Sequence, residues 1–449
     1  MNKRSNFSNK LGFVLAAAGS AVGLGNIWRF PYLAAKYGGG TFLLVYLVLA
    51  VTFGFSLMVA ETAIGRKTGL SAIEAFRKID KRFTFVGYIA AIIPTLILPY
   101  YSVIGGWVIK YFTVYISGAS QAAAEDGYFV DFISSPAQPL VWFTLFVLLT
   151  AGIVLFGVKK GIEKMSKLMM PVLVVLTIII AIYVMTLDGA MEGVIYYLKP
   201  NMKDFSPVTL LAASTQMFYS MSLAMGIMIT YGSYMKKENH IEESVHQIEI
   251  FDTGIAFFAG LMVIPAVFAF SGPEDLSAGA GLMFMTLPKV FAAMPMGKVL
   301  GTAFFVLVFL AALTSSISLM ETIVSILRDK TGWGRKKACI AVTLFTLVMG
   351  IPSSLGNGIW SHITPLGMGI LDAFDFLTNS VMMPILAILT CIIIGFIVKP
   401  KYIADEVKVT DGTFKGEKLF TVMIKWVCPI FLIAILASSV LVALGMFSF

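Results

Sequence analysis

Charge is scarce in this chain. Only 13% of its 449 residues are Asp, Glu, Lys or Arg, against 58% hydrophobic. A soluble surface needs a larger charged share, so a soluble domain is excluded and a polytopic membrane protein follows. Cysteine is nearly absent: Cys339, Cys391 and Cys428 all lie in or beside apolar runs, which leaves no disulfide framework and no zinc spacing. Histidine is equally rare. His240, His246 and His362 form no H-E-x-x-H, which removes an intramembrane metalloprotease, and no G-x-x-x-x-G-K-[ST] loop exists for an ATP-driven pump. Met1 to Lys10 is polar and basic, with no small-residue cleavage site after a short apolar run. It reads as a retained cytoplasmic tail and not as a signal peptide.

What the chain has in abundance is apolar length. Eleven spans follow, at about 11–36, 40–65, 84–117, 139–157, 168–187, 207–235, 246–271, 297–327, 337–352, 369–398 and 419–447. Each suffices to cross ~30 Å of hydrocarbon as a helix. The net charge of +8 sits in alternate loops. Lys159, Lys160, Lys164 and Lys167 follow span four and Arg328, Lys330, Arg335, Lys336 and Lys337 follow span eight, whereas the loops between carry Glu125, Asp126 and Asp131, or Glu274 and Asp275. The pattern, with an odd number of spans, places the N-terminus inside and the C-terminus outside. The plasma membrane is the expected location. The pattern asks for no nucleic acid. The loop from 271 to 297, with Pro273, Pro288 and Pro295, is expected to form a structured outer cap.

The first span is interrupted where it should be most apolar. Residues 17 to 31 contain Gly19, Gly23, Gly25, Asn26 and Arg29. Gly19-x-x-x-Gly23 alone would be a helix-packing motif, and Gly23-x-Gly25 alone a fragment of a dinucleotide loop, but no third glycine follows and no strand precedes it. Neither accounts for Asn26 and Arg29. A helix opened near the bilayer midplane exposes carbonyls and N–H groups to a ligand, and it points to a transporter's binding site. Span six repeats the signal with Ser220, Ser222 and Gly226. Spans one and six are five apart, and five is odd, so spans one to five and six to ten are expected to be two halves inverted in the membrane. The domain reading is one transmembrane unit over 1–449, with halves at 1–187 and 207–398 and a further helix at 419–447. Leu313-Thr314-Ser315-Ser316 adds three adjacent hydroxyls in mid-span eight.

With these stretches in view, the chain resembles the neurotransmitter:sodium symporter family, and more closely its bacterial amino-acid branch. The resemblance is carried by Gly19 to Tyr32, Glu61 to Arg66, Tyr100-Tyr101, Gln216 to Tyr234, Ala311 to Ser316 and Asp375. It implies an all-α membrane protein with the five-plus-five inverted-repeat (LeuT-type) fold, eleven helices with helices 1 and 6 unwound at mid-membrane, and sodium-coupled symport of a neutral, mainly hydrophobic L-amino acid by alternating access. It is a carrier and not an enzyme, and the oligomeric state is open between monomer and homodimer. The rival of another class is an amino-acid-gated or sodium-conducting channel, which would not accumulate substrate against its gradient; a non-transporting receptor would bind without flux.

The resemblance also assigns residues. One sodium ion would meet Ala21, Asn26, Ser220 and Asp252, together with the substrate carboxylate. A second would meet Gly19, Val22, Ala311, Thr314 and Ser315. The carboxylate would meet the N–H groups of Leu24 and Gly25 and the Tyr101 hydroxyl; the ammonium would meet Ala21, Tyr219, Ser220 and Ser222. The side chain would face Ser20, Ile97, Tyr101, Tyr219, Met225, Ser315 and Leu319. Ala224, where related carriers often have glycine, would narrow the pocket. Arg29 and Asp375 would pair as an outer gate, with Tyr219 as a lid and Gln216 nearby. Arg4 and Asp329 would pair on the inner side, with Phe7 and Tyr234 around them, and Glu61 would hold the opened span six. Many animal members bind chloride near the positions of Tyr46, Gln216, Ser220 and Asp252. Here Asp252 supplies a carboxylate, although the glutamate some bacterial members carry one turn further on is Ala256. No chloride requirement is therefore expected.

Overall fold

A computed structural model describes residues 6–270 and 280–443. Among these the chain is helical throughout, with no strand. The membrane helices are numbered here in chain order. They are α1 (Lys10–Ala21), α2 (Gly25–Lys36), α3 (Gly40–Thr68), α4 (Lys81–Ile116), α5 (Gln138–Leu155) and α6 (Val158–Met185). After these come α7 (Pro207–Ser220) and α8 (Ile227–Gly232). The remainder are α9 (Ile241–Phe270), α10 (Gly297–Thr331), α11 (Arg335–Leu355), α12 (Ile370–Ile397) and α13 (Glu417–Val442).

Among the described residues nine helices are each long and apolar enough to cross a membrane, and the bent pair α1–α2 makes a tenth. The two members of that pair meet at 54°. α7 and α8 are each too short to cross alone, and six residues separate them.

Helix boundaries differ from the sequence reading where charge sits inside a helix. α6 begins ten residues before the apolar run, because Lys159, Lys160 and Lys164 lie on helical backbone at its exposed start. α9 likewise starts at Ile241, ahead of its apolar stretch. Of the expected outer cap, residues 271–279 lie outside the described residues; the rest is helical from Leu282 to Ala293.

Small residues let the central helices approach. A Cβ built on Gly65 of α3 would stand 2.0 Å from the Ile229 carbonyl, and one on Gly232 of α8 2.3 Å from the Thr62 carbonyl. Glycine is required at both, and in return α8 lies backbone to backbone against α3. Lipid supplies no hydrophobic drive between helices, so such close packing and buried polar ties hold the bundle together. Residues on the two broken pairs, on α4 and on α10 surround the central cavity.

Candidate functional site

Both broken pairs end their first half with a distinct local geometry. Val22 turns out of α1 at ψ 99°, its N–H still reaching the Ala18 carbonyl at 2.7 Å. Asn26 then closes the break on itself: its amide oxygen accepts from Gly23 N–H (3.0 Å) and its own N–H donates to the Gly23 carbonyl (3.2 Å). α7 stops at Ser220, and Ser222, Ala224 and Gly226 follow at φ +53°, +53° and +71°. The left-handed region costs a non-glycine residue about 1 kcal/mol or more. Glu61 on α3 offsets part of that cost, since its Oε1 accepts from the Ala224 N–H at 2.7 Å. The two breaks are also tied to each other. Ser222 Oγ donates to the Ser20 carbonyl (2.9 Å), Asn26 Nδ2 donates to Ser220 Oγ (2.9 Å), and Gln216 Nε2 donates to the Gly25 carbonyl (3.0 Å).

Between the breaks lies a cavity of about 40 Å³, lined by Ser20, Ala21, Leu24, Gly25, Ile97, Tyr101, Tyr219, Ser220, Ser222, Met225, Ser315 and Leu319. These are the twelve residues the sequence reading gathered around a substrate. Gly23, Asn26 and Ile227 complete the wall. Ile227 was missed, because an apolar residue in an apolar span carries no signal; only its place just after Gly226, where helix resumes, marks it. Ala224 is absent from this wall, contrary to the expectation that its methyl narrows the pocket: its backbone is turned to Glu61. The volume holds roughly three waters, so a larger ligand enters only as side chains move. The Tyr101 hydroxyl is buried and makes no hydrogen bond of full geometry, with the Ser315 side chain and the Leu24 backbone as its polar neighbours. At Gly23 an added Cβ would stand 2.7 Å from Ser315 Oγ and 3.3 Å from Tyr101 Oη, so glycine keeps the space beside that hydroxyl open.

Two oxygen-rich clusters flank the cavity. In the first, Asn26 and Asp252 are fully buried and Ser220 nearly so. Asp252 Oδ1 accepts from Asn26 Nδ2 (2.7 Å) and Ser220 Oγ (2.9 Å), and its Oδ2 accepts from the Tyr46 hydroxyl (3.2 Å). Ala21 lines the cavity beside them. In the second, Ser315 Oγ reaches the carbonyls of Gly19 (3.5 Å), Ser20 (3.0 Å) and Val22 (3.3 Å). Thr314 Oγ1 donates to the carbonyls of Leu310 and Ala311, both at 3.0 Å. Apart from the Asn26 Nδ2, which donates into the first set while its oxygen faces Gly23 N–H, both sets present neutral and anionic oxygens without thiol or imidazole, and that chemistry suits a hard cation such as sodium.

The expected gates are partly assembled. Arg29 and Asp375 form no direct ion pair. Arg29 Nη1 donates to Gln216 Oε1 (3.3 Å), and its guanidinium stands 5.3 Å from the Tyr219 ring centroid. Asp375 Oδ1 instead accepts from Asn379 Nδ2 (2.6 Å) and the Tyr100 hydroxyl (3.2 Å). Each charge is thus held by its own neighbours. On the inner side Asp329 Oδ2 accepts from Ser71 N–H (2.8 Å) and Ser71 Oγ (2.7 Å). Tyr234 donates its hydroxyl to Glu321 Oε1 (2.7 Å), which also binds Arg335. Phe7 is fully buried, edge-on to Tyr234 and Tyr231. Arg4 lies outside the described residues. Gln216, placed by the sequence reading near both the gate and the chloride position, bonds at the gate.

An all-helical membrane protein with a polar cavity between two broken helix pairs is a small-molecule transporter in its architecture. The comparisons give the family. The model of the sodium:neurotransmitter symporter family matches residues 4–121 and 130–446, and the chain belongs to that family. Uncharacterised sodium-dependent transporters from Bacillus subtilis and Haemophilus influenzae are 35% and 32% identical, over 96% and 97% of this chain and 96% and 98% of their own lengths. The sodium- and chloride-dependent GABA transporter 2 of Bos taurus is 28% identical over 85% of this chain and 70% of its own length. Among solved structures, MhsT in complex with L-phenylalanine superposes with a TM-score of 0.88 at 38% identity, covering 97% of this chain and 100% of that one. The protein is accordingly a sodium-dependent membrane transporter of a small molecule, and not an enzyme.

Proposed function

We propose that the chain is a sodium-coupled symporter of neutral, mainly hydrophobic L-amino acids that works by alternating access and needs no chloride. On this reading it crosses the plasma membrane eleven times, N-terminus inside and C-terminus outside, and α1–α6 and α7–α12 are inverted halves with their first crossings unwound. The observation that carries the proposal is the buried Tyr101 hydroxyl, met only loosely by Ser315 and Leu24, beside the opened backbone of Gly23 to Gly25. A buried donor short of a well-aligned acceptor is costly, and a carboxylate recovers that cost. A helix beginning at Gly25 adds its N-terminal dipole on the same side. Apart from the Asn26 amide, the wall offers only apolar and hydroxyl side chains to the rest of the ligand, and none that is charged, which favours an uncharged side chain. The L-phenylalanine held by the 38% identical structure supports the same class.

Ala21, Asn26, Ser220 and Asp252 would hold one sodium ion, and Gly19, Val22, Ala311, Thr314 and Ser315 a second. The ions supply positive charge that draws these oxygens, and so the helix halves bearing them, together. Asp252 brings the negative charge that chloride would otherwise bring. Arg29, Gln216, Tyr219 and Asp375 would close the outer path, and Arg4, Asp329, Phe7 and Tyr234 the inner one.

The test is uptake into proteoliposomes. Replacing external sodium with potassium should abolish accumulation, whereas replacing chloride with gluconate should leave it unchanged. Competition by the twenty amino acids should single out neutral hydrophobic ones. Undiminished uptake in potassium, or its loss in gluconate, refutes the corresponding part. Asp252→Asn should lower sodium affinity or create chloride dependence.

A further inference from the structure

Away from the central cavity, a groove of about 960 Å³ runs between the end of α5 and the start of α6. One wall is apolar: Leu148, Leu149 and Phe156 are 53%, 41% and 73% exposed. The other wall and the mouth carry Lys159, Lys160 and Lys164, all exposed. These three lysines have no carboxylate, carbonyl or ring partner among the described residues. Some other lysines are tied instead: Lys10, Lys237, Lys330 and Lys408 each reach a carboxylate, at 2.5, 2.5, 3.9 and 2.7 Å. Even Lys167, in the same groove, is held by Glu163 at 2.6 Å. Three like charges within six residues repel one another, and the carboxylate between them, Glu163, is already taken by Lys167 and Ser8 N–H.

We propose that this groove is the binding site of one anionic phospholipid. The phosphate would lie between Lys159, Lys160 and Lys164, and one acyl chain along Leu148, Leu149 and Phe156. Two features favour a lipid over a soluble anion. The basic wall and the apolar wall belong to one groove, which only an amphiphile satisfies at once. The lysines also sit at the junction of two helices apolar and long enough to span a membrane, at the polar end of each apolar run, where headgroup contact is expected. The site has a built-in neighbour: Glu163, on the groove's inner wall, also accepts from Ser8 N–H at 2.9 Å and so fastens the N-terminal segment to α6.

The test uses the full-length protein in detergent, titrated with phosphatidylglycerol or phosphatidylcholine and read by native mass spectrometry. The native chain should retain phosphatidylglycerol at least roughly tenfold more strongly than phosphatidylcholine. Lys159→Gln/Lys160→Gln/Lys164→Gln should lose that preference, and a control of equal charge, Lys336→Gln/Lys337→Gln/Lys401→Gln, should keep it. Retention of the preference in the first triple variant, or equal loss in the control, overturns the proposal. Inorganic phosphate at millimolar concentration should not displace the lipid; if it does, the site takes free anions and the lipid reading fails. Should the variant not fold, cross-linking the native chain with a photoactivatable phosphatidylglycerol decides. Adducts should fall within residues 148–167, and adducts found only elsewhere refute the site.

Discussion

A buried hydroxyl without a well-aligned partner is a cost to the fold, and Tyr101 bears that cost beside Gly23. Tyr101→Phe removes no protein hydrogen bond of full geometry. Thermal unfolding of the ligand-free protein should therefore stay within about 1 kcal/mol of native, or rise. Substrate affinity should fall by roughly ten- to a hundredfold, the worth of one hydrogen bond to a charged group. Equilibrium binding of a labelled amino acid measures this, and an unchanged affinity would show that the hydroxyl does not meet the ligand. Ala224 makes the opposite case. Its φ of +53° is strained for alanine, and its methyl is not part of the cavity wall. Ala224→Gly should stabilise the ligand-free protein by about 1 kcal/mol through the backbone. Its effect on large against small substrates should be slight. A strong gain for large side chains alone would restore the pocket-narrowing explanation.

At the scale of elements, the two breaks were unequally legible. Gly19, Gly23, Gly25, Asn26 and Arg29 are out of place in a span, so the first break announces itself. In the second only Gly226 signals a turn; Ser222 and Ala224 adopt left-handed backbone that neither residue type favours, and a sequence pattern cannot carry that. What holds them comes from elsewhere, 163 residues away in sequence, where Glu61 meets Ala224 N–H. Glu61→Ala should leave that N–H buried and unpaired, at a cost of about 1–3 kcal/mol, whereas Glu61→Gln keeps an acceptor and should cost less. Thermal melts of the two variants side by side give the comparison. If Ala and Gln melt alike, the carboxylate oxygen is not what supports the break.

Across the whole molecule, the most buried ion pair among the described residues is one that the sequence hid. Arg66 at the end of α3 donates from Nε to Glu406 Oε1 at 2.8 Å, and their side chains are 0% and 3% exposed. Arg66 Nη1 also reaches the Asn239 carbonyl at 2.6 Å, and Lys237 joins Glu406 at 2.5 Å. The partners are 340 residues apart, and each alone looks like an ordinary charge at the flank of a span. Periodicity and loop charge locate helices, but which far ends meet is set by packing. Arg66→Ala strands Glu406 and should destabilise by about 3–5 kcal/mol; Arg66→Lys should recover only part, because an ammonium cannot reproduce the fork to both partners. Denaturation followed by tryptophan fluorescence would register the order native, Lys, Ala.

The three ties between the breaks, Ser222 to Ser20, Asn26 to Ser220 and Gln216 to Gly25, carry a mechanical consequence. Each is short and directional, so a slide of the first broken pair along the second by a fraction of a turn loses all three together and regains none until a new register is reached. Such a joint does not creep. It behaves like a pinned pair of leaves, which swing about a common line but do not shear past one another. Any motion that opens one leaf is thereby delivered to the other.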